Sequence, residues 1–128
     1  MMRVFKTRTF ARSTRKLGLT DAALWAAVQE MSEGLVDATL GGDLLKQRVA
    51  LSGQGKRGGA RTIVAMRTAG RWFFLYGFNK NERSNIGKHE LKVLQELAKE
   101  LLAFEDRQLE IALSAGEIVE IINGDNKA

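Results

Sequence analysis

Residues 72 to 78 read Trp-Phe-Phe-Leu-Tyr-Gly-Phe, a run aromatic enough to be the central strand of a sheet. The segments around it must supply its neighbours. Arg61–Arg67 (RTIVAMR) is β-branched and apolar, and Ala69-Gly70 marks a turn between the two. Further upstream the period is also extended. Leu45, Gln47, Val49 and Leu51 fall on one side of a strand, and Leu44, Lys46, Arg48 and Ala50 on the other. Between these strands Ser52–Gly59 (SGQGKRGG) holds four glycines and reads as a loop. The pattern predicts an antiparallel meander in which Trp72, Phe74, Tyr76 and Phe78 alternate onto one side.

Helical spacing brackets this sheet. Met2–Lys6 alternates as a short strand, and Thr7 or Thr9 caps a helix carrying Phe10 and Leu17 that ends at Gly18. Thr20-Asp21 starts a second helix, with Leu24, Trp25, Val28 and Met31 on its inner face and Gly34 as its stop. These two helices read as a hairpin turning at Gly18. Gly87–Phe104 carries an apolar stripe of Leu91, Leu94, Leu97, Leu101 and Leu102. Asp106–Ala115 reads as a short fourth helix stopped by Gly116, and Ile118–Ile122 as a strand or a docking segment. The class expected is α+β. At 128 residues the chain is the size of one domain, commonly about 100 to 150 residues: a single domain over 1–128, with its core over about 3–104 and a helical extension over 105–128.

Charge supplies the first functional clue. Residues 1–88 hold 16 basic and 6 acidic side chains, whereas residues 89–128 hold 4 and 9. From Lys46 to Lys88 ten cations face the single acid Glu82. A polyanion is the natural partner of such a stretch. The acidic tail reads as a solvated helix and a frayed terminus, with two alternatives, folding back on the basic face or steering a partner. No cysteine is present, which removes thiol chemistry and disulfides and fits a reducing compartment. With no apolar run of membrane-spanning length, which takes about 18 residues, a cytoplasmic location without membrane contact is expected.

Familiar catalytic groups are missing. The sole histidine, His89, has no metal-ligand spacing around it and reads as a solvated helix residue. No metal site and no cofactor are expected. Gly53–Gly59 resembles a phosphate cradle, but a P-loop needs Ser or Thr where Arg57 stands, glycine where Ala50 stands, and a following helix. What remains is a set of cations on a sheet. Lys46 and Arg48 project to one face, Arg61 opens the next strand, and Lys80 and Arg83 follow Phe78. Cations beside an aromatic strand suit a single-stranded nucleic acid, with phosphates on Lys and Arg and a base on Tyr76 or Phe78; the alternative is that Trp72, Phe74 and Tyr76 simply pack the helices, which applies least to Phe78 at the strand end.

The order of strand, helical hairpin, basic meander and terminal helix resembles the RelE/ParE superfamily of type II toxin-antitoxin toxins. The residues that carry the likeness are Lys46-x-Arg48, GxGKxGGxR over Gly53–Arg61, and Phe78-x-Lys80-Asn81-Glu82-Arg83-Ser84-Asn85-Ile86. A HigB-like branch is the most similar. The resemblance implies a RelE-like fold, a small twisted antiparallel sheet packed by the N-terminal hairpin and C-terminal helices. It also implies a metal-independent endoribonuclease that cuts mRNA, commonly in the ribosomal A site. A cognate antitoxin, often carrying a helix-turn-helix domain, would neutralise it, and operator DNA would be reached only through that antitoxin.

Carried over by position, Lys46 and Arg48 match the family's basic pair on the second strand, Arg61 the arginine that stabilises the transition state, and Lys80 and Arg83 the basic positions after the last strand. Lys56 and Arg57 sit in a longer hairpin and are assigned to gripping RNA. Two departures stand out: Asn81 replaces an arginine that many relatives have, and Gly87 falls near the place of a C-terminal tyrosine. The general acid is therefore unassigned. The competing expectations are a ParE-like inhibitor of DNA gyrase, which lacks the catalytic cations, and a non-catalytic RNA- or ribosome-binding module.

Overall fold

The structure, a computed structural model, describes residues 2–51, 55–67, 70–83 and 85–122, of which 55–57 are described in backbone alone. Six strands are joined by four helices: β1 (Arg3–Thr7), α1 (Arg8–Ser13), α2 (Asp21–Ser32), β2 (Ala38–Gly41), β3 (Leu44–Leu51), β4 (Gly55–Ala65), β5 (Arg71–Asn79), α3 (Lys88–Leu102), α4 (Asp106–Ser114) and β6 (Ile118–Ile121). The sheet order is β2-β3-β4-β5-β1-β6. β3, β4 and β5 form the antiparallel meander read from the sequence. The sheet as a whole is mixed, because β1 lies parallel to β5; β6 then pairs antiparallel with β1. The expectation of a purely antiparallel sheet is thus corrected. The chain leaves β1 through two helices and three strands before returning beside it, a long-range pairing that local patterning does not encode.

The aromatic strand is buried because helices cover both of its faces. On one side α1 and α2 enclose Val4, Val49, Val64, Trp72, Phe74 and Ile121 with Phe10, Leu24, Val28 and Met31. On the other, α3 and α4 bring Leu94, Ala98, Leu101, Leu109 and Ala112 onto Phe5, Leu44, Ile63, Phe73 and Leu75. A strand covered on both faces is apolar throughout rather than alternating, and Trp72, Phe73, Phe74 and Leu75 are all fully buried. Each such side chain contributes about 1.5–3 kcal/mol relative to exposure.

Local signals set the helix ends. The Thr7 hydroxyl accepts the Phe10 N–H and Thr20 the Ala23 N–H, so both N-caps are threonines. α2 stops before Gly34, whose φ is +90°, and α3 ends at Leu102. α1 ends at Ser13, short of the expected Gly18. There the Thr14 hydroxyl donates to the Phe10 carbonyl at 2.8 Å, offering the backbone a local alternative to further helix, and Leu17 lies outside the helix. α1 packs on β5 and α2 on β3, so the sheet holds each half of the expected hairpin.

Three features depart from the sequence reading. Gly55–Gly59 belongs to β4 rather than to a loop, while Ser52–Gln54 lie outside the described residues. A hairpin partner, β2, precedes β3, turning through Gly41, Gly42 and Asp43, all with positive φ. The core also extends past residue 104. Leu109, Ala112 and Ile118 are buried with Phe5 and Phe73, and Ile121 is buried on the opposite face, so 106–121 is part of the layered structure and includes a strand as well as a helix.

Candidate functional site

A β-bulge sets the geometry of the basic face. Ile63 pairs with Tyr76 while its neighbour Val64 pairs with Phe74, which leaves Leu75 as the extra residue of β5. The bulge reverses the alternation. Trp72 and Phe74 point to the α1–α2 side, whereas Tyr76 packs on the α3–α4 side with Leu75. Phe78 follows Tyr76, their ring centroids 6.1 Å apart. The expected one-sided row of four aromatics is therefore split into two pairs on opposite faces.

Because of that reversal, cations and aromatics share a face. Two rows cross the meander: Lys46, Ile63 and Tyr76 stand opposite one another on β3, β4 and β5, and so do Arg48, Arg61 and Phe78. Directly opposed residues have Cβ atoms about 4.5–5.5 Å apart. Arg83, from the segment after β5, completes the group: its guanidinium carbon lies 5.6 Å from the Phe78 ring centroid, and its Nη1 is 3.5 Å from the Tyr76 hydroxyl. Phe78 is only 4% exposed beneath that guanidinium, so of the two rings the half-buried Tyr76 is the more accessible. Beside Tyr76 a cleft of about 170 Å³ is bounded by His89, Glu90, Val93 and Leu94. His89 is exposed in the first turn of α3.

The five cations differ in their electrostatic surroundings. Asp37 accepts the Arg48 backbone N–H at 2.6 Å and faces its Nε at 3.3 Å. Asp37 is itself placed by buried Gln47, whose side chain accepts the Asp37 N–H and donates to the Leu35 carbonyl, each at 3.0 Å. Arg83 is paired with Glu90, one contact at 2.9 Å and the second through Nη2 and Oε1. This pair and the Gly87 N–H hold the Glu90 carboxyl at about 2, well below the ordinary carboxylate range, while the Glu90 hydrogen bonds raise the Arg83 pKa. By contrast, among the described residues no carboxylate forms an ion pair with Lys46, Arg61 or Lys80.

The structure thus brings together Lys46, Arg48, Arg61, Tyr76, Phe78 and Arg83. Lys80 stands one residue beyond β5 and is exposed, and the side chains of Lys56 and Arg57 lie outside the described residues. Sequence reading missed Asp37 and Glu90. Glu90 carried a usable signal, its place three residues after the Gly87 N-cap; Asp37 carried none. The acidic tail has a structural use at the other end of β5: Glu120 pairs with Arg3 at 2.9 Å and Asp106 with Arg71, the first residue of that strand. Among the described residues no cluster of His, Asp or Glu is arranged to hold a metal ion, and no helix is long and apolar enough to cross a membrane.

A mixed α+β architecture with a basic, aromatic-lined sheet face is compatible with a RelE-like toxin. A family model described as "RelE toxin of RelE / RelB toxin-antitoxin system" matches residues 2–121, nearly the whole described chain. The protein belongs to the RelE toxin family, whose members act within toxin–antitoxin systems. No curated protein matches the chain significantly.

Proposed function

We propose that this toxin is an mRNA endoribonuclease of a single domain over residues 1–128, most similar to the HigB-like branch. In this reading it works in the cytoplasm, acts on mRNA in the ribosomal A site, and is neutralised by a cognate antitoxin with a helix-turn-helix domain. The observation that carries the reading is the pair of cross-strand rows, which sets unneutralised Lys46 and Arg61 on the same sheet face as the half-buried ring of Tyr76. Phosphates are drawn to the cations and a base stacks on the ring.

The chemistry suits a site of lysines and arginines. An RNA 2′-hydroxyl gives up its proton and attacks the adjacent phosphorus; a 2′-O–P bond forms, the P–O5′ bond breaks and the departing 5′-oxygen takes up a proton, giving a 2′,3′-cyclic phosphate and a 5′-hydroxyl. The substrate brings its own nucleophile, so the reaction needs alignment and charge stabilisation more than a cofactor. Lys46 and Arg48 approach the 2′-hydroxyl and phosphate, and Arg61 stabilises the negative charge that develops on the phosphorane. Lys80 and Arg83 lie toward the departing 5′-oxygen, and Lys56 and Arg57 grip the RNA backbone.

Induction of the wild-type protein in bacteria, alongside Lys46→Ala and Arg61→Ala, tests the reading. Arrest with loss of intact mRNA, abolished by either substitution, is the expected result. Undiminished arrest by both variants overturns it, and arrest with intact mRNA and inhibited supercoiling identifies a gyrase poison instead.

A further inference from the structure

Glu90 occupies the third position of α3, where helix N-terminal N–H groups lack partners within the helix. Its carboxylate accepts the Gly87 N–H at 2.9 Å. The same carboxylate receives both terminal nitrogens of Arg83, and Arg83 Nε donates to the Asn85 carbonyl at 2.9 Å. All three guanidinium nitrogens therefore have acceptors. A planar fork held at three points cannot turn about its own axis, unlike a cation at the end of a free flexible stem. The plane so fixed lies over Phe78 and beside the Tyr76 hydroxyl, at the β5 end of both cation rows.

We propose that Glu90 is a positioning residue: through a two-pronged bond it fixes Arg83 against Phe78 and Tyr76, and so sets the place of the nucleotide next to the scissile phosphate. The proposal rests on the nuclease reading. Glu90 also compensates the Arg83 charge, leaving phosphate attraction to Lys46, Arg61 and Lys80. Arg83 then contributes a flat surface and its one remaining Nη2 N–H rather than net charge, and its value depends on its orientation.

The test is a double-mutant cycle with Glu90→Gln, Arg83→Gln and the double variant, measured as RNA cleavage rates in the presence of ribosomes. Gln at position 90 keeps an oxygen for the Gly87 N–H, so the helix start survives while the two-pronged ionic bond is lost; circular dichroism verifies folding. Small misplacements of a positioned group cost orders of magnitude in rate, so kcat is expected to fall about tenfold in Glu90→Gln, with the double variant no slower than Arg83→Gln alone. Cleavage within about twofold of wild type, or effects that multiply in the double variant, overturns the proposal. If the wild-type protein cuts no RNA, the nuclease reading fails, and the fixation itself is read by NMR. A sharp, slowly exchanging Arg83 Nε–H resonance that is lost in Glu90→Gln supports it, and one that persists refutes it.

Discussion

Arg48 and Arg61 stand directly opposite each other across β3 and β4. Like charges so placed destabilise a sheet, and among the described residues a carboxylate, Asp37, pairs with Arg48 but none with Arg61. Arg61 keeps one long bond of 3.5 Å to the Gly59 carbonyl. Repulsion across this pair would cost stability in the free protein, and an anion bound between the two guanidinium groups would offset it.

Arg61→Thr should therefore separate stability from activity. Removing the repulsion and adding a β-branched residue should leave urea stability unchanged or raise it by up to about 1 kcal/mol, while toxicity is lost. A fall of more than about 1 kcal/mol would show that Arg61 supports the fold.

Unpaired Lys46, Arg61 and Lys80 should make RNA binding salt-dependent. For single strands log K falls by about 0.7 per log unit of salt for each phosphate contact, so three contacts predict a slope near −2. Arg61→Gln should make it shallower by about 0.7. Fluorescence anisotropy with an RNA carrying a 2′-deoxy group at the cut site measures the slope without cleavage; an unchanged slope would remove Arg61 from the phosphate contacts.

The Arg83–Glu90 pair predicts a pH dependence of defined sign. The Glu90 carboxyl is held at about 2 in the folded protein, below its ordinary value. Its contribution is complete above the ordinary carboxylate value and is lost as the pH falls toward about 2. The Tm difference between wild type and Glu90→Gln should be constant near neutrality and shrink through that acid range. A difference that instead changes near neutrality and stays constant through the acid range would contradict the assignment.

Gly59 lies where the β4 backbone closely approaches β3, next to the Arg48–Arg61 pair. A Cβ there would lie 2.1 Å from the Val49 carbonyl oxygen, a backbone atom that cannot rotate away. Gly59→Ala should lower stability by about 1–3 kcal/mol and reduce activity with it, as read by thermal melting and growth arrest. Wild-type stability would show that the hairpin register is not tied to this contact.

Much of this architecture was legible in the sequence. Thr20, Gly34 and the leucine stripe of α3 marked their helices because capping and amphipathic spacing are local. The bulge at Leu75 was not, because it arises from how β5 pairs with β4; without it Tyr76 would point away from Lys46. β2 was missed although Gly41-Gly42-Asp43 is a turn signal, since four residues are too few to show a period. The parallel pairing of β1 with β5 joins segments nearly seventy residues apart, as in Arg3 opposite Arg71. The cations were found by their density and by family likeness. Their carboxylate partners were not, because Asp37 and Glu90 reach Arg48 and Arg83 only in the folded chain.

The most direct measurement is a transcriptome-wide map of new RNA 5′ ends after brief induction, with an Arg61→Ala strain as control. New 5′-hydroxyl ends inside translated frames, absent from the variant, are the predicted result. Growth arrest without new ends, or the same ends in Arg61→Ala, would contradict the account.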